Sequence, residues 1–458
     1  MKNFFICDFF DFSRKFFKAF FAFFVLFFLN FSVFAEDVHY RWTPYKDSTG
    51  AEIWDGIWSV TYKDGVISNA KFWTYWKESE SKWEKTFYND TGGTADYPGY
   101  YPDPNQKKLA YTYFTGEHAV TATLDSSPAN ELKELYIGDC YKPQNAGSSV
   151  GTERITINLA GFELKAKNLF LGSSSASVPS VDFALTGGGT LKVSGEMSFA
   201  AASGVSCTYN IEVASGTVLD VSFIELNDSQ ATVNFTGEGT LKAGNAIFSA
   251  GKININVKNL EISGTFKNEA GATLSVSGLS SDSRTFGGTF ENAGTAEFSG
   301  GTLKVSGEMS FAAASGVSCT YNIEVASGTV LDVSFIELND SQATVNFTGE
   351  GTLKAGNAIF SAGKININVK NLEISGTFKN EAGATLSVSG LSSDSRTFGG
   401  TFENAGTAEF SGGSKSSFVG AVTNSGSVKF KDSAEGIFNG TVKNSGRLGF
   451  SDKATGTF

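Results

Sequence analysis

Residues 400–410 are GTFENAGTAEF, and the same pattern returns 20 residues later as GAVTNSGSVKF (420–430) and again as GTVKNSGRLGF (440–450). A period of roughly 20 to 25 residues is the size of one coil of a parallel β-helix. Apolar residues alternate with polar ones inside each segment, and Gly, Asn and Ser separate the short runs. The pattern therefore predicts stacked coils built from short strands.

Stacked coils lie about 4.8 Å apart, so residues one period apart form ladders of like side chains. We expect the aromatic position of the pattern to stack on one inner face. We expect its asparagine to form a column at one turn, where side-chain amides hydrogen-bond along the axis. The predicted ladders are Phe410, Phe430 and Phe450, and Asn404, Asn424 and Asn444.

A longer repeat precedes these segments. Residues 188–299 and 300–411 are identical copies, an offset of 112 residues. A closed globular core does not accept a hundred extra residues between packed elements, whereas a solenoid grows longer because each unit contacts only its neighbours. A Gly-Thr-apolar motif divides each copy into shorter steps, so one copy is expected to make about five coils. Its positions in the first copy are Gly189, Gly216, Gly239, Gly264 and Gly288.

Residues 151–458 as a whole have the composition of short strands and turns. Ile253, Ile255 and Val257 alternate with asparagines, the period of two expected when one strand face packs inward. No stretch after residue 150 has a sustained helical period. We predict an all-β fold, a parallel β-solenoid (β-helix) of about 14 coils and ~65 Å in length.

Residues 36–150 differ sharply in composition and are predicted to form a small Trp/Tyr-rich β cap, or head. Clustered aromatic rings favour the core of a cap that shields the first coil. The alternative is a binding face on which exposed rings stack against sugars. The candidate glycan-stacking residues are Trp42, Trp54, Trp58, Trp73, Trp76 and Trp83.

Residues 1–35 have the pattern of a signal peptide. Basic residues precede an apolar run from Ala19 to Leu29, and Val33-Phe34-Ala35 has the small residues that a signal peptidase needs, so cleavage is predicted after Ala35. The apolar run is short of the ~20 residues that span a bilayer, and no later segment is long and apolar enough. The mature chain is therefore expected to have no membrane span.

The remaining composition excludes several functions. The chain carries a net charge of −11, and loss of the signal, with four basic and two acidic residues, lowers it to −13. Nucleic acid is not an expected partner, because its binding depends largely on Lys and Arg. Three cysteines remain, too few for a disulfide scaffold. Cys207 and Cys319 are one repeat apart, ~24 Å along the axis, so they are predicted to be buried thiols that cannot pair within the chain.

An export signal followed by Gly/Ser/Thr/Asn-rich coils with GT(F/V)xN(S/A)G units resembles the passenger of a bacterial autotransporter or a related repetitive β-helical adhesin. The resemblance covers residues 151–458. It implies a structural protein of the cell surface, outer membrane or extracellular space, with a role in virulence. Autotransporters also carry a C-terminal membrane barrel, and the solenoid pattern runs to Phe458. A secretion partner or a missing C-terminal barrel is therefore expected.

Catalysis is the main alternative, because polysaccharide lyases and hydrolases also occur on β-helices. Such sites need carboxylates on neighbouring coils, usually beside a basic residue. The candidates are Asp220, Glu225 and Asp228, and their copies Asp332, Glu337 and Asp340. Surface solvation explains them adequately. The histidines are His39 and His118, both in the head, which disfavours a triad with a solenoid serine. No catalytic, cofactor or metal residues are predicted.

A shorter motif points to modification. Glu225-Leu226-Asn227-Asp228-Ser229 resembles the acidic extended acceptor sequon of bacterial N-glycosylation, and the second copy repeats it around Asn339. A five-residue match also arises by chance.

Taken together, the sequence predicts an exported, adhesin-like structural protein without catalytic activity. Its expected partner is a host or cell-surface receptor or glycan. A polysaccharide lyase or hydrolase, and carbohydrate binding through the head, remain the alternatives.

Overall fold

The computed structural model describes residues 153–173, 180–201, 206–279, 281–300, 302–311 and 319–458, with short segments between residues 38 and 139. These residues form strands, turns and irregular connections, and no helix occurs among them. The described segments accordingly include no apolar helix of membrane-spanning length. The predicted all-β class is confirmed for this part of the chain.

The strands range from 2 to 32 residues, and the longest ones lie between residues 163 and 390. The first twelve are β1 (Val38–Trp42), β2 (Tyr45–Lys46), β3 (Glu52–Ile53), β4 (Gly56–Ile57), β5 (Tyr62–Lys63), β6 (Val66–Ile67), β7 (Trp73–Lys77), β8 (Lys82–Lys85), β9 (Ala110–Phe114), β10 (Val120–Thr123), β11 (Leu132–Asp139) and β12 (Ile155–Asn158). The next thirteen are β13 (Glu163–Ser173), β14 (Ser180–Thr186), β15 (Gly189–Ala201), β16 (Thr208–Val213), β17 (Thr217–Leu226), β18 (Thr232–Ile262), β19 (Phe266–Val276), β20 (Ser283–Phe286), β21 (Phe290–Asn292), β22 (Thr295–Phe298), β23 (Thr302–Phe311), β24 (Cys319–Val325) and β25 (Val330–Leu338). The last twelve are β26 (Ala343–Ile374), β27 (Phe378–Gly390), β28 (Ser395–Phe398), β29 (Phe402–Asn404), β30 (Thr407–Gly412), β31 (Lys415–Phe418), β32 (Val422–Asn424), β33 (Ser427–Phe430), β34 (Glu435–Phe438), β35 (Val442–Asn444), β36 (Arg447–Phe450) and β37 (Thr455–Thr457).

Strand pairing from β9 onward is parallel and links successive turns of the chain. After residue 395 each strand pairs with the strand three positions later, which gives three series: β28 to β31 to β34, β29 to β32 to β35, and β30 to β33 to β36. Three strands thus make one 20-residue turn, and three parallel ladders run side by side. This is the pairing produced when a chain winds as a parallel β-solenoid, with its backbone hydrogen bonds directed between coils.

One inward-facing column gives the length of the exact repeat in coils. Leu191 and Leu303 are equivalent residues of the two copies and lie five levels apart. The column occupies fourteen levels, and a spacing of about 4.8 Å separates its ends by ~62 Å, in agreement with the expected length. Its residues are Leu164, Leu191, Leu219, Leu241, Leu260, Arg284, Leu303, Leu331, Leu353, Leu372, Arg396, Ser416, Gly436 and Gly456.

The interior follows the predicted alternation. Ile253, Ile255 and Val257 in β18 are buried, while the residues between them are exposed. The predicted phenylalanine ladder is present: the ring of Phe430 stacks on Phe410 at 4.8 Å and on Phe450 at 5.1 Å. Phe410 and Phe430 are fully buried, and Phe450, in the last coil, is 37% exposed. Burial of the Phe410 and Phe430 rings adds to the apolar core that favours stacking of the coils.

The predicted asparagine column is also present and begins earlier in the chain. Asn404 Nδ2 donates to Asn424 Oδ1 at 2.8 Å, and Asn424 Nδ2 donates to Asn444 Oδ1 at 2.6 Å. The column starts one coil before Asn404, since Asn380 Nδ2 donates to Asn404 Oδ1 at 2.7 Å. Asn268 and Asn292 make the same 2.7 Å bond in the first copy. The amides of Asn380, Asn404 and Asn424 are buried, and each donates to the next asparagine, while Asn444 at the end of the column is exposed.

Glycine follows Asn404, Asn424 and Asn444 by two residues because the coils approach closely there. A Cβ atom at Gly426 would lie 2.2 Å from the Gly406 carbonyl oxygen of the preceding coil. At Gly446 the distance to the Gly426 oxygen would be 2.1 Å. No side chain fits at such distances, so the N-(S/A)-G pattern is a steric requirement of the turn.

The backbone before residue 115 combines two kinds of pairing. β1 pairs antiparallel with β7, and β7 pairs antiparallel with β8. β1 also pairs in parallel with β9, which in turn pairs in parallel with β11. Residues 1–37, including the predicted cleavage site, lie outside the described residues, so the signal peptide stays a prediction. The predicted cap and the boundary near residue 150 are likewise untested.

Candidate functional site

Two equivalent grooves lie on the solenoid surface, one in each copy of the repeat. The first, of about 430 Å³, is lined by Glu238, Asn256, Lys258, Leu279 and Asp282 among others. The second, of about 550 Å³, is lined by the equivalent Glu350, Asn368, Lys370, Leu391 and Asp394, with Asp432 added from the next coil. Leu279 and Leu391 at the rims are 65% and 67% exposed. The repeat therefore presents the same surface twice, five coils apart.

A buried arginine lies beneath each groove, in the inner column: Arg284 follows Leu260 in the first copy, and Arg396 follows Leu372 in the second. Arg396 Nη2 donates to the Ser389 carbonyl oxygen at 2.7 Å and lies 3.5 Å from Asp394 Oδ2. Arg284 Nη2 lies 3.1 Å from Asp282 Oδ2 in the first copy. Burial lowers the pKa of Arg396, and the Asp394 carboxylate opposes that shift. These charges are enclosed in the core, where they fix the loop that forms the groove rim.

The candidate carboxylates Asp220 and Asp332 occupy a column of alternating charge on one outer face. Lys242 Nζ donates to Glu261 Oε2 at 2.7 Å, and this hydrogen bond to the carboxylate raises the pKa of Lys242. The equivalent contact in the second copy, Lys354 to Glu373, is 2.8 Å. In chain order the column reads Lys192, Asp220, Lys242, Glu261, Thr285, Lys304, Asp332, Lys354, Glu373 and Thr397. Both aspartates therefore lie level with lysines of the neighbouring coils.

The other candidate carboxylates occupy different places. Asp228 lies in the turn after β17, where its Oδ1 accepts a hydrogen bond from the Gln230 backbone N–H at 2.9 Å. Asp340 makes the same 2.9 Å bond with the Gln342 N–H. Glu225 lies on the other segment of β17, past a register shift, level with Ser198. The structure thus distributes Asp220, Glu225 and Asp228 over a strand, a second strand segment and a turn.

A carboxylate cluster that the sequence analysis missed lies where the two copies meet. Ser310 is level with Glu291 in the coil before it and with Glu337 in the coil after it, and Glu308 is two residues away. Burial raises the pKa of Glu308, as do its hydrogen bond to Glu337 and the negative charges of Glu337 and Glu291. The equivalent of Ser310 in the first copy is Ser198, and the residue level with it in the preceding coil is Phe170 instead of a glutamate. Only the pairing register reveals this proximity, since 46 residues separate Glu291 from Glu337. No group of three metal-ligating side chains occurs in the described residues.

The sequon asparagines Asn227 and Asn339 both lie at turns between strands, and both are exposed. Leu226 and Leu338, the residues before them, are fully buried. Each turn is therefore anchored by a leucine and presents the following asparagine to solvent.

The head tryptophans are described only in part. Trp42 is directly opposite Trp73 across β1 and β7, and Trp76 is opposite Trp83 across β7 and β8. Trp54 and Trp58 lie outside the described residues, and so does His118. The choice between a core and a glycan-binding face is therefore untested.

The described cysteine side chain is buried, as predicted. Cys207 is a free thiol, 2% exposed, and burial raises its pKa. Cys319 begins β24 level with Ala343. Cys140 lies outside the described residues.

No family model matches the chain, and neither does any curated protein or solved structure. Function is therefore inferred from the repeat, the surface charges and the turns.

Proposed function

We propose that the chain is an exported bacterial surface or secreted protein of the adhesin-like, autotransporter-passenger type, with a structural role and no catalytic activity. The observation that carries the proposal is that one identical 112-residue copy winds through five whole coils. Whole-coil copies keep every face in phase, so adding or losing one changes length but not cross-section. That property suits a rod that holds a binding surface away from the cell.

Repetition of the surface supports a binding role. Grooves with equivalent linings recur one copy apart, each with an exposed leucine at the rim. A partner with several epitopes would engage both copies, and linked weak contacts give avidity well beyond one contact. The expected partner is a receptor or glycan of a host or another cell.

The positions of the carboxylates support a non-catalytic role. Asp220 and Asp332 lie level with lysines that neutralise them, and Asp228 caps a turn. A lyase or hydrolase would need carboxylates that converge in one groove and are free to act beside a basic residue. The first groove holds Glu238 and Asp282 beside Lys258, but Glu238 pairs with that lysine at 3.6 Å and Asp282 pairs with the buried Arg284 at 3.1 Å. Export, surface localisation and secretion through a partner or a further C-terminal barrel rest on residues 1–35 and on the resemblance to autotransporter passengers.

The test is surface display in the source bacterium. Intact cells would be treated with a protease and probed with antibody against residues 415–458, beside cells that express a variant without residues 1–35. The full chain should be cleaved on intact cells, and the variant should be protected. A full chain that stays protected would overturn the proposal.

The absence of catalytic activity is tested in a separate assay. Purified chain would be incubated with acidic polysaccharides, and product release would be measured for the native protein and for Asp220→Asn with Asp332→Asn. No product is expected from either protein. Product that disappears in the variant would establish the lyase or hydrolase alternative. Binding to a glycan array that is lost without residues 36–150 would instead establish the glycan-binding head.

A further inference from the structure

We propose that Asn227 and Asn339 are N-glycosylation sites, whose glycans project from one corner of the solenoid. The donor would be an oligosaccharide linked through diphosphate to a polyprenyl lipid. The asparagine Nδ2 forms a bond to the anomeric carbon of the first sugar and loses one proton to a base. The bond from that carbon to the diphosphate oxygen breaks, and the lipid diphosphate leaves.

An acidic residue two positions before the asparagine separates these two sites from the other Asn-x-Ser/Thr sequences of the chain. Glu225 and Glu337 lie two residues before Asn227 and Asn339. The corresponding position holds no acidic residue at the remaining sites, which are Asn30, Asn89, Asn234, Asn346 and Asn439.

The turn that contains Asn227 also leaves its side chain accessible to a transferase. Asn227 and Ser229 are both exposed, and Asn227 makes no hydrogen bond through its side chain within the described residues. The backbone of the turn is held from the other side, where the Ala231 N–H donates to the Asp228 carbonyl oxygen at 3.2 Å. A glycan on Nδ2 would therefore extend into solvent without breaking a contact of the fold.

Asn234 shows the opposite arrangement within the same coil and serves as an internal comparison. Its Nδ2 donates to Asn210 Oδ1 at 2.8 Å, and its Oδ1 accepts from Asn254 Nδ2 at 2.7 Å. Phe235, the middle residue of this sequon, is fully buried. Modification of Asn234 would break an amide column, so the structure excludes this sequon and its copy at Asn346, which makes the same bonds.

Asn439 provides a second comparison because it is exposed, like Asn227, but has no acidic residue two positions before it. It is exposed and begins an Asn-Gly-Thr sequon, but Ile437 lies two residues before it. If the acidic residue selects the site, Asn439 stays unmodified although a transferase can reach it.

Repetition fixes the spacing of the two glycans. Asn227 and Asn339 are equivalent residues of the identical copies, so they lie on the same corner, five coils or ~24 Å apart. The number of glycans would rise by one with each added copy.

The experiment uses the full chain in bacterial cells that carry an oligosaccharyltransferase with its lipid-linked oligosaccharide. A short peptide with an acidic sequon, expressed in the same cells, confirms that transfer occurs. Intact mass should show two glycan increments for the native chain and one for Asn227→Gln or Asn339→Gln. The double variant should show none, and peptide mapping should place the glycans on these residues. Circular dichroism confirms that each variant is folded.

A further variant tests the selecting residue. Replacing Glu225 and Glu337 by Gln, with both asparagines kept, should lower glycan occupancy at least several-fold. An unmodified chain beside a modified control peptide would overturn the proposal. Glycans on Asn234, Asn346 or Asn439 would overturn it as well. The proposal rests on the export that the proposed function includes, and the two are distinguished by expressing the chain and the control peptide behind the same host export signal, so that the experiment itself supplies export.

Discussion

Asn404 Nδ2 donates to Asn424 Oδ1 at 2.8 Å although 20 residues separate the two asparagines in the chain. Both side chains are buried, and Asn404 Nδ2 also lies 3.1 Å from the Gly406 carbonyl oxygen of its own turn. The bond therefore ties one turn to the next along the axis. Between Asn380 and Asn444 the same contact recurs in each coil, which keeps the turn alike from coil to coil and fixes the register of the ladders on either side.

Replacing Asn424 by Ala should destabilise the last coils. The change removes a bond to each neighbouring asparagine and leaves the Arg447 carbonyl oxygen, now 3.0 Å from Asn424 Nδ2, without that donor. Loss of a buried hydrogen-bonded amide costs about 1–3 kcal/mol. Urea denaturation measures the loss, and Asn439→Ala, at an exposed amide, is the control. Equal effects of the two substitutions would contradict the structural role of the column.

Replacing Phe430 by Ala should unfold the end of the solenoid before the rest. Its fully buried ring stacks between Phe410 and Phe450, and loss of such a ring costs about 3–5 kcal/mol. Because coils contact only their neighbours, hydrogen exchange should quicken in residues 415–457 and not in residues 320–375. Phe458→Ala, at a ring 72% exposed, should change stability by less than about 1 kcal/mol. Uniform quickening along the chain would argue against a stack of coils.

Removing the charge of Asp394 should destabilise the core more than removing the whole ion pair. Asp394→Asn keeps an oxygen for the Leu391 N–H, 2.7 Å away, but leaves Arg396 buried without a counter-charge, at a cost of about 3 kcal/mol. Adding Arg396→Leu extends the leucine column by one level and should recover much of that loss. Thermal denaturation compares these variants with Asp432→Asn, at an exposed aspartate of the same groove. A double variant no more stable than Asp394→Asn would contradict this account.

The junction between the copies should make stability depend on pH through Glu308. The pKa of Glu308 in the folded chain is raised above the ordinary value of 4.5, so the folded chain holds the proton more tightly than the unfolded chain does. The protonated carboxyl therefore contributes stability at low pH, and this contribution is lost as the pH rises from 4.5 through the folded-state pKa. Glu308→Gln should therefore raise stability at pH 7, by about 0.5 kcal/mol at this surface position, and change little at pH 4. Chemical denaturation at both pH values measures it. Glu196→Gln, the equivalent change in the first copy without a Glu291 counterpart, is the control, and the same gain there would contradict the junction effect.

Much of the fold could be predicted because the determinants are local and periodic. The 20-residue spacing of Phe410 and Phe430 translates directly into a stack, and the spacing of Asn404 and Asn424 into a hydrogen bond. The number of coils in one copy follows from the Gly-Thr-apolar motif in the same way. Each of these predictions requires only that equal spacing in sequence means equal position in a coil.

The surface could not be predicted to the same extent, because coils in the long repeat differ in length. Steps of the inner column range from the 28 residues between Leu191 and Leu219 to the 19 between Leu241 and Leu260. Proximity of outer residues therefore depends on bulges and registers that no fixed period gives. The Glu291–Glu308–Glu337 cluster and the buried Arg396 both come from such irregular steps.

The central claim is that one copy of the repeat adds five coils to a rod of constant cross-section. Deleting residues 300–411 tests it most directly, because Ser299 then joins Gly412 in the sequence context that Ser411 has in the native chain. Small-angle X-ray scattering of both proteins, each without residues 1–35, measures the maximum dimension and the cross-sectional radius of gyration. We predict a maximum dimension shorter by ~24 Å and an unchanged cross-section. An unchanged length, or a cross-section that shrinks with the deletion, would contradict the account.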